Sequence, residues 1–169
     1  MAGLATAPRG NDGNAVGVAY NANLYCFRAV HNPIIDTSSE ILAVYQSLYD
    51  SGLDDNINII SMSLGMRPGQ VSTQIIDGIN FAWNMDKMIV CAAGTSFVGV
   101  NDIFDVVFPA NHPNTIAVTG IKEPTFYPNP LSSEDVACSD CHYGADVWFS
   151  VIMERSGSGN DDRTTLATS

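Results

Sequence analysis

Small residues close two apolar runs of this chain, and their position is the first hint of chemistry. Ser63-Leu64-Gly65 ends the run that begins at Ile59, and Ala92-Ala93-Gly94 ends the run that begins at Ile89. Glycine and alanine at a strand's C-terminal end let another backbone come close, because no bulky side chain stands in the way. Those ends are also where open α/β sheets hold their ligands. A second group is Cys138-Ser139-Asp140-Cys141-His142, a formal C-x-x-C-H match to a c-type haem attachment site. No helical haem-pocket pattern surrounds it, so haem is not expected; a local disulfide or a loop dithiol fits the segment better. Zinc would need two further ligands, and only His142 is near. His31 and His112 have no Gly-x-Ser-x-Gly elbow or aspartate motif to join. The pairs Asp54-Asp55, Glu134-Asp135 and Asp161-Asp162 are neighbours without fixed geometry and read as surface charge. No phosphate loop or dinucleotide fingerprint occurs, so no nucleotide cofactor is expected.

The elements that must position these residues alternate. Met1 to Ala7 reads as a short helix, and Pro8 to Asn14 as a loop by its turn chemistry. Leu24 to Val30 reads as a strand, broken by Pro33. Thr37-Ser38-Ser39-Glu40 is a capping box that opens a helix carrying Ile41, Leu42, Tyr45, Leu48 and Tyr49, with Gly52 as its stop. Ile57 to Ser63 is the next strand. Ile75, Ile76, Ile79, Ala82 and Trp83 form a second helical face, capped by Ser72 or Thr73. Met88 to Ala93 is a strand of nearly continuous apolar residues, as expected when both faces are covered. Thr115 to Ile121 is another. This alternation predicts an α/β fold: a doubly wound, mostly parallel sheet with helices on both faces. Residues 123–133 read as loop and 155–163 as a mobile, exposed loop.

Composition narrows the classes. A chain of 169 residues is one domain by length, and 46% hydrophobic with 15% charged residues describes a globular chain. The formal charge of −11 opposes nucleic-acid and anionic-membrane partners. No apolar run approaches the ~20 residues of a membrane span. Of the four cysteines, Cys26 and Cys91 fall in apolar strands and are expected as buried thiols.

The two small-residue runs resemble signatures of the subtilisin-like serine proteases, the subtilases, whose Met-Ser-Leu-Gly and Ala-Ala-Gly strands wall a substrate cleft. Met1-Ala2-Gly3 is similar to the tail of the family's His-Gly-Thr-x-Val/Met-Ala-Gly helix. Gly17 to Tyr25 is similar to the Gly-Val-Ala-Pro-x-Ala-x-Leu segment that follows it. Phe108-Pro109-Ala110, with Asn114 to Val118, resembles Tyr-Pro-Ala…Val-Ile-Ala-Val. These matches keep family order over roughly the first 120 residues, and thin beyond Lys122 to Gly144-Ala145-Asp146-Val147.

The resemblance implies peptide-bond hydrolysis by an extended polypeptide cleft, with a partial catalytic domain spanning 1–169. It implies that Ser63, Leu64 and Gly65 offer backbone groups to a substrate that joins as an added strand. It implies that Ala92, Ala93 and Gly94 form the far wall of the pocket beside the scissile bond. Thr95 takes the place of the family's oxyanion-hole asparagine; its shorter, branched side chain would fall short of the oxyanion unless water or Ser96 helps. The family's catalytic aspartate and histidine motifs belong upstream of Met1 and its Gly-Thr-Ser downstream, so Ser169 reads as a loop residue and the segment as inactive alone. Asn11, Asp12 and Asn14 match a loop that wraps structural calcium in many subtilases, although an Asn/Asp/Gly-rich turn explains them equally. The family also implies a secreted or cell-envelope location. The rival reading is a degenerate subtilase-like domain kept for binding.

Overall fold

The computed structural model describes residues 5–6, 17–95, 105–122 and 141–154. The expected loops at 123–133 and 155–163, the calcium-loop residues Asn11, Asp12 and Asn14, and Ser96, Cys138 and Ser169 lie outside the described residues. The chain divides into two compact units, Met1–Phe27 with Gly157–Ser169, and Arg28–Ser156. In the first, Ala5 and Thr6 are helical, and the Ala19 N–H donates to the Ala5 carbonyl at 2.8 Å.

The second unit is built on four parallel strands in the order β1-β2-β3-β4: β1 Ile59–Met62, β2 Met88–Ala92, β3 Ile116–Lys122 and β4 Val147–Glu154. Helix α1, Ser38–Leu53, precedes β1, and α2, Thr73–Asn84, links β1 to β2. This is the parallel α/β arrangement that the alternation predicts.

Both helices start where the sequence places their caps. Thr37 accepts from the Glu40 N–H at 3.2 Å, and Glu40 accepts from the Thr37 N–H at 3.1 Å, which closes the capping box. Hydrogen bonds from the Asp36 N–H, the Thr37 hydroxyl and the Thr37 N–H hold the Glu40 carboxyl below its ordinary pKa. Ser72 caps α2 by accepting from the Ile75 N–H. At the other end of α2, Asp86 takes the left-handed conformation at φ 59°, and the Lys87 N–H returns to the Ala82 carbonyl at 3.1 Å. That is a helix stop usually given to glycine.

Glycine has a different task in α1. Gly52 lies inside the helix instead of ending it, and a Cβ there would meet Phe81 at 2.8 Å. Gly78 of α2 answers it, with Leu48 and Tyr45 pressed to within 3.1–3.3 Å of its missing Cβ. The two glycines let the helices pack backbone to side chain, and Tyr49 stacks on Phe81 at 4.4 Å between ring centres. Leu48, Ile75, Ile79, Ile89, Cys91 and Ala117 form the centre of the core.

Several expectations need correction. Among the described residues Leu24 to Val30 joins no ladder; Leu24, Tyr25 and Phe27 are about half exposed, while Ala29 and Val30 are partly buried against the core. Cys26 is consequently exposed, whereas Cys91 is buried as expected. Trp83 is 45% exposed, outside the buried stripe of α2. The sheet also gains β4, a strand the apolar alternation does not reveal.

Candidate functional site

β1 and β2 are neighbours in register, Met62 opposite Cys91, so Leu64 and Ala93 extend level with each other beyond the last ladder pair. Past that pair the strands part. Into the gap comes the segment 105–108: the Val107 N–H donates to the Ala93 carbonyl at 3.0 Å, and the Met66 N–H donates to the Phe108 carbonyl at 2.7 Å. Val107 is the shared neighbour of both glycines. Its Cγ2 would lie 3.0 Å from a Cβ placed on Gly65, and 3.0 Å from one placed on Gly94. Small residues at the two strand ends therefore have a definite physical reason: they make room for Val107.

The six cleft residues are not equivalent. Along 92–95, Ala92 and Thr95 are exposed, Ala93 is buried and Gly94 lies between, so the two-residue alternation of the strand breaks at Gly94. Ala93 is occupied on both backbone groups, its N–H by the Val118 carbonyl and its C=O by Val107. It supports the wall from beneath, and Ala92 and Thr95 present the surface. On the other side Ser63 is exposed and Leu64 half-buried. The Gly65 N–H donates to the Pro33 carbonyl and its C=O accepts from the Ile35 N–H, both at 2.8 Å. Pro33–Ile35 therefore holds both backbone groups of Gly65. Ile35 is fully buried and the Asp36–Arg67 ion pair, at 3.1 Å, closes the same junction.

Gly94 has φ 118°, a conformation that L side chains rarely adopt. Its carbonyl accepts from the His142 N–H at 3.0 Å, and Thr95 forms an antiparallel bridge with Cys141. The segment 141–142 thereby lies along the strand end that carries Gly94 and Thr95. Cys141 is disulfide-bonded and 1% exposed. His142 is 4% exposed, and the Thr119 hydroxyl donates to its carbonyl.

The other histidines stand apart from this cleft in their bonding. His31 is exposed beside the Arg28 guanidinium at 3.3 Å. His112 sits in a turn, accepting from the Asn114 N–H at 3.1 Å, and burial lowers its pKa. Among the described residues no group of three or more His, Cys, Asp or Glu could hold a metal ion. No helix among them is long and apolar enough to cross a membrane. Val107 is the site residue that sequence reasoning missed. Its signal was its place directly before the Phe108-Pro109-Ala110 motif, but its importance depends on two glycines distant in sequence.

Comparison with known proteins speaks to the family and the fold. A model of the Subtilase family, peptidase S8, matches residues 1–168. A thermophilic serine proteinase from Bacillus sp. (strain AK1) is 30% identical over 123 residues, 73% of this chain and 28% of that protein. Among solved structures, sphericase is 29% identical with a TM-score of 0.55, over 73% of this chain and 39% of its own. The S41 psychrophilic protease aligns at a TM-score of 0.59 and 24% identity, over 73% and 38% of the two chains, and speaks for the fold. This chain therefore spans well under half the length of each of these relatives.

Proposed function

The chain belongs to the subtilase family, and from that premise we propose that it is a segment of a serine endopeptidase domain whose cleft runs between the ends of β1 and β2. The observation that carries the reading is the pair of parting, parallel strand ends, Ser63-Leu64-Gly65 and Ala92-Ala93-Gly94, with Val107 between them. In this reading residues 1–169 form one partial catalytic domain. A peptide lies extended across Ser63 and Leu64 on one side, with Ala92 and Gly94 on the other. Gly65 contributes shape only, because its backbone is engaged by Pro33 and Ile35. Val107 sets the depth of the gap, so the pocket favours small or medium apolar side chains over large ones. Val107→Gly is expected to shift preference toward aromatic side chains in a peptide library; unchanged preference would remove Val107 from the pocket.

The reaction proposed for the whole protein is hydrolysis of a peptide bond through an acyl-enzyme on serine, with histidine as general base. Neither group is assigned to these residues, so the isolated chain is expected to be inert. Thr95 stands where the developing oxyanion needs a donor, and its hydroxyl is a shorter-reaching one than an amide. We propose weak or altered turnover in the parent for that reason. Fluorophosphonate labelling tests the reading: stoichiometric labelling of the full-length protein, and none of the isolated chain, is expected. Labelling of the isolated chain, or none of the parent, would overturn it.

Two accompanying proposals follow from the same family. Asn11, Asp12 and Asn14 offer an all-oxygen donor set of the kind calcium prefers, and would hold a structural ion. A calcium-dependent rise in melting temperature that persists in Asp12→Ala would exclude that loop. A secreted or cell-envelope location is proposed as well, and fractionation of the native host would check it.

A further inference from the structure

One buried hydroxyl away from the strand ends serves the segment that fills the gap between them. Thr115 stands directly before β3 and is 2% exposed. Its Oγ1 lies 2.8 Å from the His112 carbonyl, 3.0 Å from that of Pro109 and 3.1 Å from that of Ala110. A hydroxyl carries one proton, so three acceptors share it. The turn they belong to begins at Val107, whose carbonyl accepts from the Asn111 N–H at 3.3 Å. Other ties act on the same stretch. The Val107 N–H and the Phe108 carbonyl hold its start to Ala93 and Met66, beyond the ends of β2 and β1. Bonds from the His112 N–H to Pro109 and from the Thr115 N–H to His112 close the turn on itself. Asn114 Nδ2 donates to Asn80 Oδ1 on α2 at 2.9 Å. Among the described bonds, the Thr115 hydroxyl is what joins the foot of β3 to Pro109 and Ala110.

We propose that Thr115 is the positioning residue for Val107: its hydroxyl gathers the turn 107–112 against the foot of β3 and so fixes how far Val107 reaches between the strand ends. Val107 Cγ2 stands 3.0 Å from the Cβ position of Gly65 and 3.0 Å from that of Gly94, so even a small shift of the turn is felt at both. A methyl group cannot take the hydroxyl's place. Carbon–oxygen contacts settle near about 3.3–3.6 Å. The three carbonyls stand at 2.8–3.1 Å and would have to retreat. Pro109 is fully buried, and Phe108 and Ala110 are 3% and 2% exposed, so water reaches the orphaned carbonyls only by opening the packing. One residue, Phe108, separates Val107 from Pro109, and the retreat passes along the chain to it. The bearing on specificity rests on reading the gap as the peptide pocket; the hold on the turn does not.

Amide hydrogen exchange and substrate preference of the full-length protein test it. Thr115→Val removes the hydroxyl in a side chain of nearly the same shape, Thr115→Ala removes it without a clash, and Thr115→Ser keeps it. In the valine and alanine variants the amides of Val107 and Asn111 are expected to exchange about tenfold faster. The amides of Met88 and Ala93, bonded across the sheet to Asn58 and Val118, should keep their protection. The ratio of kcat/KM for peptides with aromatic over small apolar side chains beside the cleaved bond should rise about threefold or more, as the loosened wall yields to the larger group. Thr115→Ser should restore both readouts. Unchanged exchange at Val107 and Asn111 overturns the proposal, and so does acceleration shared equally by Met88 and Ala93, which would make Thr115 a general stabiliser. A serine variant that behaves like valine overturns it too, since the γ-methyl and not the hydroxyl would then matter. Faster exchange with an unchanged ratio removes Thr115 from specificity. Exchange needs no turnover, so its outcome is independent of the fluorophosphonate result that decides the protease reading.

Discussion

The two faces of the sheet differ sharply in how far they are covered. Toward α1 and α2, Ile89 and Cys91 of β2 are 0–1% exposed and Met62 of β1 is 7% exposed. On the opposite face, Ile59 and its ladder partner Met88 are 61% and 47% exposed, with Ser61 and Ala92 also open. Nearly continuous apolar strands predict cover on both faces, yet among the described residues only one is covered. A sheet face of this kind is built to be buried. Among the described residues the sheet is thus covered on one face.

The largest expected effect breaks this comparison directly. Leu48→Ala or Ile79→Ala should cost about 2–5 kcal/mol in urea unfolding of any protein that folds with this segment. Ile59→Ala should cost under about 0.5 kcal/mol in the isolated chain, as an exposed position does, and a core-like 2–5 kcal/mol in the full-length protein. Equal costs in both settings would show that the bare face stays bare.

A smaller effect concerns the cap that starts α1. Thr37→Ala should cost about 1 kcal/mol. Glu40 adds a pH dependence: its folded pKa is depressed, so its contribution is present above the unfolded value and is lost as pH falls through the folded one. Glu40→Gln should flatten that acid limb of the stability curve. A limb unchanged by the substitution would assign it to other carboxylates.

The smallest effect is on reactivity, not stability. Burial pushes the Cys91 thiol up to about 12, against a weaker opposing pull from the Thr115 hydroxyl. Iodoacetamide near pH 8 should therefore label exposed Cys26 quickly and leave Cys91 unmodified until unfolding, since the thiolate is the reactive form. Equal labelling of the folded protein would refute the burial assigned to one of them.

What the sequence revealed, and what it hid, follows the range of the interactions. Caps are local, so Thr37 with Glu40 and Ser72 with Ile75 were legible, and so were the apolar runs of β1, β2 and β3. Gly52 was misread because a helix stop and a helix–helix contact use the same residue, and only Phe81, far along the chain, distinguishes them. Leu24 to Val30 has strand composition without the partner that would make it one, which also misplaced Cys26. β4 was hidden because Trp148, Phe149 and Val151 are exposed and break the expected alternation. The two small-residue strand ends were readable, whereas the contact of Val107 with both glycines and the engaged backbone of Gly65 depend on long-range pairing that no local pattern carries.

Replacing Thr95 by asparagine in the full-length protein puts the central claim, a peptide-cleaving cleft between the ends of β1 and β2, to its most direct trial. Loss of one such oxyanion donor costs roughly 10²–10³ in turnover, and Thr95→Asn is expected to recover a large part of that in kcat with KM little changed. A kcat unaltered by the substitution would mean that no oxyanion forms beside Thr95, and the cleft assigned to these strand ends would be wrong.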